Sequence, residues 1–196
     1  MKFITTLVLA GLIAAAASQM ASAQLIAGNI GFVGEIVVNS TQASLTTKAN
    51  FWNGMEVIGN PNGSFATAGI TQFASASFAG SWNFNDTTPV TNFWTIGNFS
   101  FTLQNSFIDP TGTGGTAGHS SIKVDVEGTV SGNNYTSTPY SGTLTFADPT
   151  DGDGPNDFLA QWSFQPVPVP VPEPAPALLL GAALPVFALV KRKLKG

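Results

Sequence analysis

The chain has 196 residues, with 7 Lys and Arg, 11 Asp and Glu, and a formal net charge of −4. Residues 24–174 hold all 11 acidic residues against Lys48 and Lys123 alone, net −9, so this part has no basic patch for nucleic acid or anionic lipid. The absence of cysteine excludes disulfides, zinc–thiolate sites and cysteine nucleophiles, leaving a core that 15 Phe and 4 Trp can build.

The first element is a leader. Met1-Lys2 is a short positive start, Phe3 to Ala17 is apolar apart from Thr5 and Thr6, and Ala21-Ser22-Ala23 is a small-x-small site. This is the pattern of a secretory signal peptide, helical while in the membrane, with cleavage expected between Ala23 and Gln24.

From Gln24 onward the composition changes to Thr, Ser, Asn, Gly and aromatics, the chemistry of strands and turns. Ile30 to Val38 reads as a nearly continuous apolar strand. Period-two alternation then recurs at 76–84, 99–104, 122–127, 143–146 and 158–164. In the first of these, Ala76, Phe78, Gly80, Trp82 and Phe84 share one face. Turn signals separate the runs: Gly59 to Gly63, Asn85-Asp86, Asp109-Pro110 with its Gly-rich sequel, Val130 to Tyr135 as a hairpin tip, and Asp148 to Asn156. Seven to nine strands with one apolar face predict an all-β, antiparallel β-sandwich, with a barrel as the alternative.

Several constellations along these strands could carry chemistry. Phe51-Trp52 and Phe93-Trp94 are adjacent aromatic pairs; in a strand one ring of each faces the core and the other faces out. Trp52 and Trp94, flanked by Asn50, Asn53 and Asn92, are therefore candidate glycan-stacking residues, against burial of both rings. His119, the one histidine, follows a Gly-rich loop and adjoins Ser120 and Ser121, but adjacent loop residues do not supply a triad's geometry. Asp125 and Glu127 lie about 7 Å apart on one strand face. They point in parallel, whereas glycosidase carboxylates flank a bond, so they read as a solvent face. No catalytic residue is assigned and the chain is not expected to be an enzyme. Asp148, Asp151, Asp153 and Asp157 lie within ten residues among glycines, a pattern suited to Ca²⁺. It is not an EF-hand, since Trp162 stands where the bidentate Glu would be, and a hydrogen-bonded turn is the alternative. Calcium is the one cofactor considered.

The C-terminal region has three parts. Residues 166–174, Pro-Val-Pro-Val-Pro-Val-Pro-Glu-Pro, read as an extended polyproline spacer. Ala175 to Val190 carries no charge; as a helix its 16 residues reach about 24 Å. That is short of a hydrocarbon core of about 30 Å, and Pro185 bends it. Lys191, Arg192, Lys193 and Lys195 follow, a stub held on the cytoplasmic side by the positive-inside rule. A short kinked transmembrane helix ending in a basic stub has the form of a tail that is read and removed.

Pro172, Glu173 and Pro174, the apolar segment and the stub together resemble the PEP-CTERM sorting signal of Gram-negative bacteria; the same tail is also labelled an ice-binding protein C-terminal region. The usual stub is richer in Arg. The resemblance covers 26 of the 196 residues. It implies transient residence in the inner membrane, processing by an exosortase, and delivery to the cell surface or extracellular matrix. The expected organisation is a signal peptide at 1–23, an ectodomain at 24–165, a stalk at 166–174, a transmembrane helix at 175–190 and a stub at 191–196. The expected role is non-catalytic and structural or adhesive, in exopolysaccharide or biofilm; the alternative is a carbohydrate- or ice-binding module. Signal peptidase, exosortase and exopolysaccharide are the expected partners.

Overall fold

The computed structural model describes residues 24–149 and 157–168. The expected signal helix at 1–23 and transmembrane helix at 175–190 lie outside the described residues, among which no helix is long and apolar enough to cross a membrane.

Ten strands occur among the described residues: β1 (Ile30–Val38), β2 (Lys48–Ile58), β3 (Ser77–Phe78), β4 (Trp82–Asn83), β5 (Val90–Ile96), β6 (Phe99–Ile108), β7 (Gly114–Thr116), β8 (His119–Gly132), β9 (Tyr135–Ala147) and β10 (Asp157–Pro166). A 3₁₀ turn at Ala43–Leu45 and a single helical turn, α1 (Ser64–Thr67), complete the fold. All strand pairs are antiparallel. The burial of β1 alternates at every residue, as period-two patterning requires.

The expected all-β, antiparallel class is what the chain adopts. Its arrangement is one curled sheet, a half-barrel, in place of two stacked sheets. Hydrogen bonding runs unbroken along β3-β5-β6-β8-β9-β10-β1-β2-β4, with β7 beside β8. The reason lies in β1, which pairs with β10 on one side and β2 on the other, so the two halves of a would-be sandwich are welded into one surface. Curling brings the inward faces together and the apolar residues still meet.

The segment expected as one strand at 76–84 behaves differently. It breaks at Gly80-Ser81 and laces the two edges of the curl together. Phe73 and Ala76 donate backbone N–H groups to Val57 and Met55 of β2, at 2.9 Å each. Ser77 and Phe78 then pair with Thr95 and Trp94 of β5. Trp82 and Asn83 return to Ala49 and Lys48 of β2. The alternation is kept, so Phe78, Trp82 and Phe84 still plug the interior, from opposite edges.

The interior is aromatic. Trp162 lies within 6.0 Å, ring centre to ring centre, of Trp52, Phe78, Trp82, Phe93 and Phe164. Trp94 stacks on Phe101 at 5.7 Å and meets Phe164 edge-on at 5.4 Å. Small residues make room for these rings. A side chain at Gly142 would collide with the ring of Phe164 on the neighbouring strand. The β8–β9 hairpin turns where expected: Asn133 and Asn134 both adopt positive φ, 52° and 64°, the conformation of a type I′ turn.

Candidate functional site

The two aromatic pairs separate in the fold. At 51–52 the alternation holds in β2, with the roles fixed: Phe51 is the outward ring, 51% exposed, and Trp52 points in and is half-buried. At 93–94 it fails. Asn92 takes φ 52°, and the β5–β6 register shifts between Val90 and Trp94. This irregularity turns both Phe93 and Trp94 inward, each 0% exposed. Trp94 is therefore a core residue, and its candidacy for glycan stacking is withdrawn. At Trp52 the flanking amides are already engaged: Asn50 Nδ2 donates to Val38 O at 3.0 Å, and Asn53 Nδ2 donates to Glu35 Oε2 at 2.8 Å.

All four indoles, Trp52, Trp82, Trp94 and Trp162, bury their Nε1 without a hydrogen-bond acceptor. Phe93 meets Trp52, Trp82 and Trp162 at interplanar angles of 85°, 70° and 75°. The donors of these three indoles are thus packed among rings, away from any oxygen acceptor. This cluster shuts the half-barrel at its laced side.

Asp148, the first of the four candidate calcium ligands, is committed elsewhere. It is 7% exposed. Its Oδ1 accepts the N–H of Ala43 at 2.6 Å and its Oδ2 accepts the N–H of Ser120 at 2.9 Å. Ser120 Oγ in turn accepts the N–H of Ser44 at 3.1 Å. The carboxylate thus pins the 3₁₀ turn to the start of β8. Burial pushes its pKa up, but the N–H groups of Ala43 and Ser120 outweigh that and hold it below the usual 3.8. Asp151 and Asp153 lie outside the described residues, and Asp157 opens β10. Among the described residues no three His, Asp or Glu side chains gather as a metal site.

His119 stands at the first position of β8, opposite Thr116 of β7, and is exposed; it is a strand residue and not part of the loop. Ser120 is spent on the Asp148 pin. Asp125 faces outward with its oxygens occupied: Thr143 Oγ1 donates to Oδ1 at 2.9 Å, and Lys123 Nζ lies 3.4 Å from Oδ2. Lys123 also bridges Asp109 at 2.5 Å, and this hydrogen bond, with those from Thr111, holds the Asp109 carboxyl down to about 2. Glu127 is exposed on the same face. Lys123 thus bridges Asp109 on the loop after β6 and Asp125 on β8.

The outward surface over β3, β5, β6 and β8 is hydroxyl-rich. Ser77, Thr95, Ser100 and Ser131 form a cross-strand row, within which Ser100 and Ser131 hydroxyls lie 3.2 Å apart; Thr102 pairs with Thr129 beside it.

The sorting-motif residues Pro172, Glu173 and Pro174 and the stub Lys191, Arg192, Lys193 and Lys195 lie outside the described residues, as do Ala21 and Ala23. Gln24 lies within them. Its carbonyl accepts the N–H of Thr136 at 3.0 Å, so the described fold is engaged from its first residue. Compared with known proteins, the chain matches no family model, no curated protein and no solved structure.

Proposed function

We propose that this is an exported, exosortase-processed protein of the cell surface or extracellular matrix, with a non-catalytic structural or adhesive role in exopolysaccharide. The observation that carries the reading is the tail, in which Pro172-Glu173-Pro174, a short apolar segment and a basic stub occur in order. The fold is compatible with it. The described sheet starts after Gln24 and its last strand ends at Pro166, so losing residues 1–23 and those beyond Pro174 takes away no strand of that sheet. A net charge of −9 over residues 24–174 keeps such a domain soluble outside the cell. Mass spectrometry of the exported protein tests the reading. The expected product begins at Gln24 and lacks Lys191–Lys195, and Glu173→Ala leaves the tail attached. A mature protein that retains the stub overturns it.

A carbohydrate-binding reading keeps one foothold, the exposed Phe51 beside half-buried Trp52 on β2. It predicts binding on a polysaccharide array that falls at least about ten-fold in Phe51→Ala, the loss of one stacking ring. Unchanged binding in that variant removes this site. For ice, the hydroxyl rows sit on a curled surface, whereas a flat lattice asks for a flat one.

A further inference from the structure

We infer that the end of the curl where β5 turns into β6 and β8 turns into β9 is a binding site for a neutral hexopyranose chain, with Tyr135 as the stacking ring and Asn98, Asn133 and Asn134 as its hydrogen-bonding rim. This deepens the reading of a structural or adhesive role in exopolysaccharide, and rests on it.

Two hairpin tips lie side by side at this end. Gly97-Asn98 joins β5 to β6, with Ile96 opposite Phe99 and Gly97 at φ 52°. Asn133-Asn134 joins β8 to β9, with Gly132 opposite Tyr135. Phe99 pairs with Gly132, and a side chain at Gly132 would collide with the carbonyl of Asn98. Glycine is what lets the two tips touch, and the contact fixes their spacing.

Tyr135 follows the second tip directly. Its ring stacks on Phe99, with centroids 6.2 Å apart and planes 28° from parallel. Phe99 is itself 1% exposed and packs on Phe65 at 4.8 Å. One face of the Tyr135 ring is therefore backed by the core, while the residue stays only half-buried. A ring held this way loses little freedom when a ligand lands on it.

The amides around the ring are unspent. At other turns Asn39, Asn62 and Asn85 accept the N–H groups of Thr47, Asn29 and Ile108 on their side-chain oxygens. Asn98, Asn133 and Asn134 make no side-chain hydrogen bond among the described residues, and Asn98 and Asn134 are exposed.

Charge decides the ligand class. The N-terminal arm and the loop after β2 complete this end: Gln24 O accepts the N–H of Thr136, and Ala27 N donates to Ser64 Oγ at 3.0 Å. Residues 24–34, 59–76, 87–108 and 128–147, which supply it, contain no Asp, Glu, Lys, Arg or His. An end without charge selects neither a polyanion nor a polycation. A flat ring with free amides at its margin suits a ligand with an apolar C–H face and hydroxyls around its edge, which describes a neutral sugar ring.

The test is calorimetric titration of the full-length chain, in a detergent without a sugar head group, with cellohexaose, mannohexaose and laminarihexaose, and with hexagalacturonate as the charged control. At least one neutral hexamer is expected to bind, and to bind more tightly than hexagalacturonate. Tyr135→Ala is expected to weaken that binding at least about ten-fold, the loss of one stacking ring, and Tyr135→Phe by less than about three-fold. Asn134→Gly, which keeps the turn, and Asn98→Ser are each expected to weaken it several-fold. These two read the site even where Tyr135→Ala does not fold, which tryptophan fluorescence checks. No binding of any neutral hexamer, tighter binding of hexagalacturonate, or binding that these variants leave unchanged overturns the site. Loss of binding in Phe51→Ala alone moves sugar recognition to the outer face of β2 and overturns it equally. An exported product that lacks Lys191–Lys195 yet binds none of the neutral hexamers overturns this site and leaves the sorting reading standing.

Discussion

Trp162→Ala is expected to cost about 3–5 kcal/mol, the range for removing a large aromatic from a packed core. Trp162 is 1% exposed and sits at the centre of the ring cluster from β2, β3, β4, β5 and β10. These strands come from both sides of the laced opening, so the cavity left behind loosens the closure as well as the core. A domain with a total stability of about 5–15 kcal/mol loses a large part of it. Urea denaturation and calorimetry of the purified protein should show the midpoint falling by roughly 10–20 °C. Trp162→Phe is expected to cost less, because it keeps a ring in place and removes a buried donor that lacks an acceptor. Phe51→Ala, on the outer face of β2, should cost under about 1 kcal/mol. A Trp162→Ala protein as stable as the wild type would show that the cluster does not close the curl.

The second large effect is at Asp148. Asp148→Ala leaves the N–H groups of Ala43 and Ser120 buried without partners and is expected to cost about 2–5 kcal/mol, each orphaned donor contributing about 1–3. The same pin carries a pH dependence. Its folded pKa lies below the ordinary 3.8. Its stabilisation is therefore complete above that value and is lost as pH falls through the lowered folded pKa. Asp109, held down to about 2 by Lys123, acts in the same window. Asp148→Asn should therefore flatten the acid limb of the stability–pH curve only in part, and Asp109→Asn should flatten it further, while Asp86, held down by its hydrogen bonds from Thr88, keeps a share. Acid unfolding followed by fluorescence reads both. An Asp148→Asn protein with an unchanged acid limb would show that the carboxylate is not the pin.

Lys123 is the complement on the alkaline side. The Asp109 hydrogen bond raises its pKa above 10.5, so its contribution is present below that value and fades as pH rises through the raised one.

Much of the fold was legible in the residues because strand periodicity is local. Ile30–Val38 appears as β1 with the expected bounds, and the 122–127 and 158–164 alternations appear within β8 and β10. The hairpin at Asn133-Asn134 was legible because a two-residue turn of positive φ admits few residue types. The parity of Phe93-Trp94 was not, because one left-handed residue, Asn92, resets the alternation without a marker at the positions it affects. The same holds in β6, where a register shift between Leu103 and Asn105 puts Ser106 inside and leaves Phe107 44% exposed.

The candidate site shows the same division. The acidic run from Asp148 was visible as a cluster of oxygen ligands. That Asp148 instead spans 105 residues to Ala43 could not be read from spacing, since the partner is a backbone N–H and every residue but proline has one. The docking of residues 24–29 was equally silent, because their hydrogen-bond partners, among them Asn62, Ser64, Thr138 and Tyr140, lie more than 30 residues away in the chain.

By itself the sequence determined composition-level and local properties: a cysteine-free, acidic, aromatic-rich β domain and the position of turns such as Asn133-Asn134, with two flanking apolar segments that we propose as export and sorting signals. Those follow from residue chemistry and short-range periodicity. The tertiary structure decided whether the strands form two sheets or one, which rings face out, and which carboxylates are already spent. These depend on pairings between residues far apart in the chain, and a strand's own pattern is the same whichever neighbour it takes.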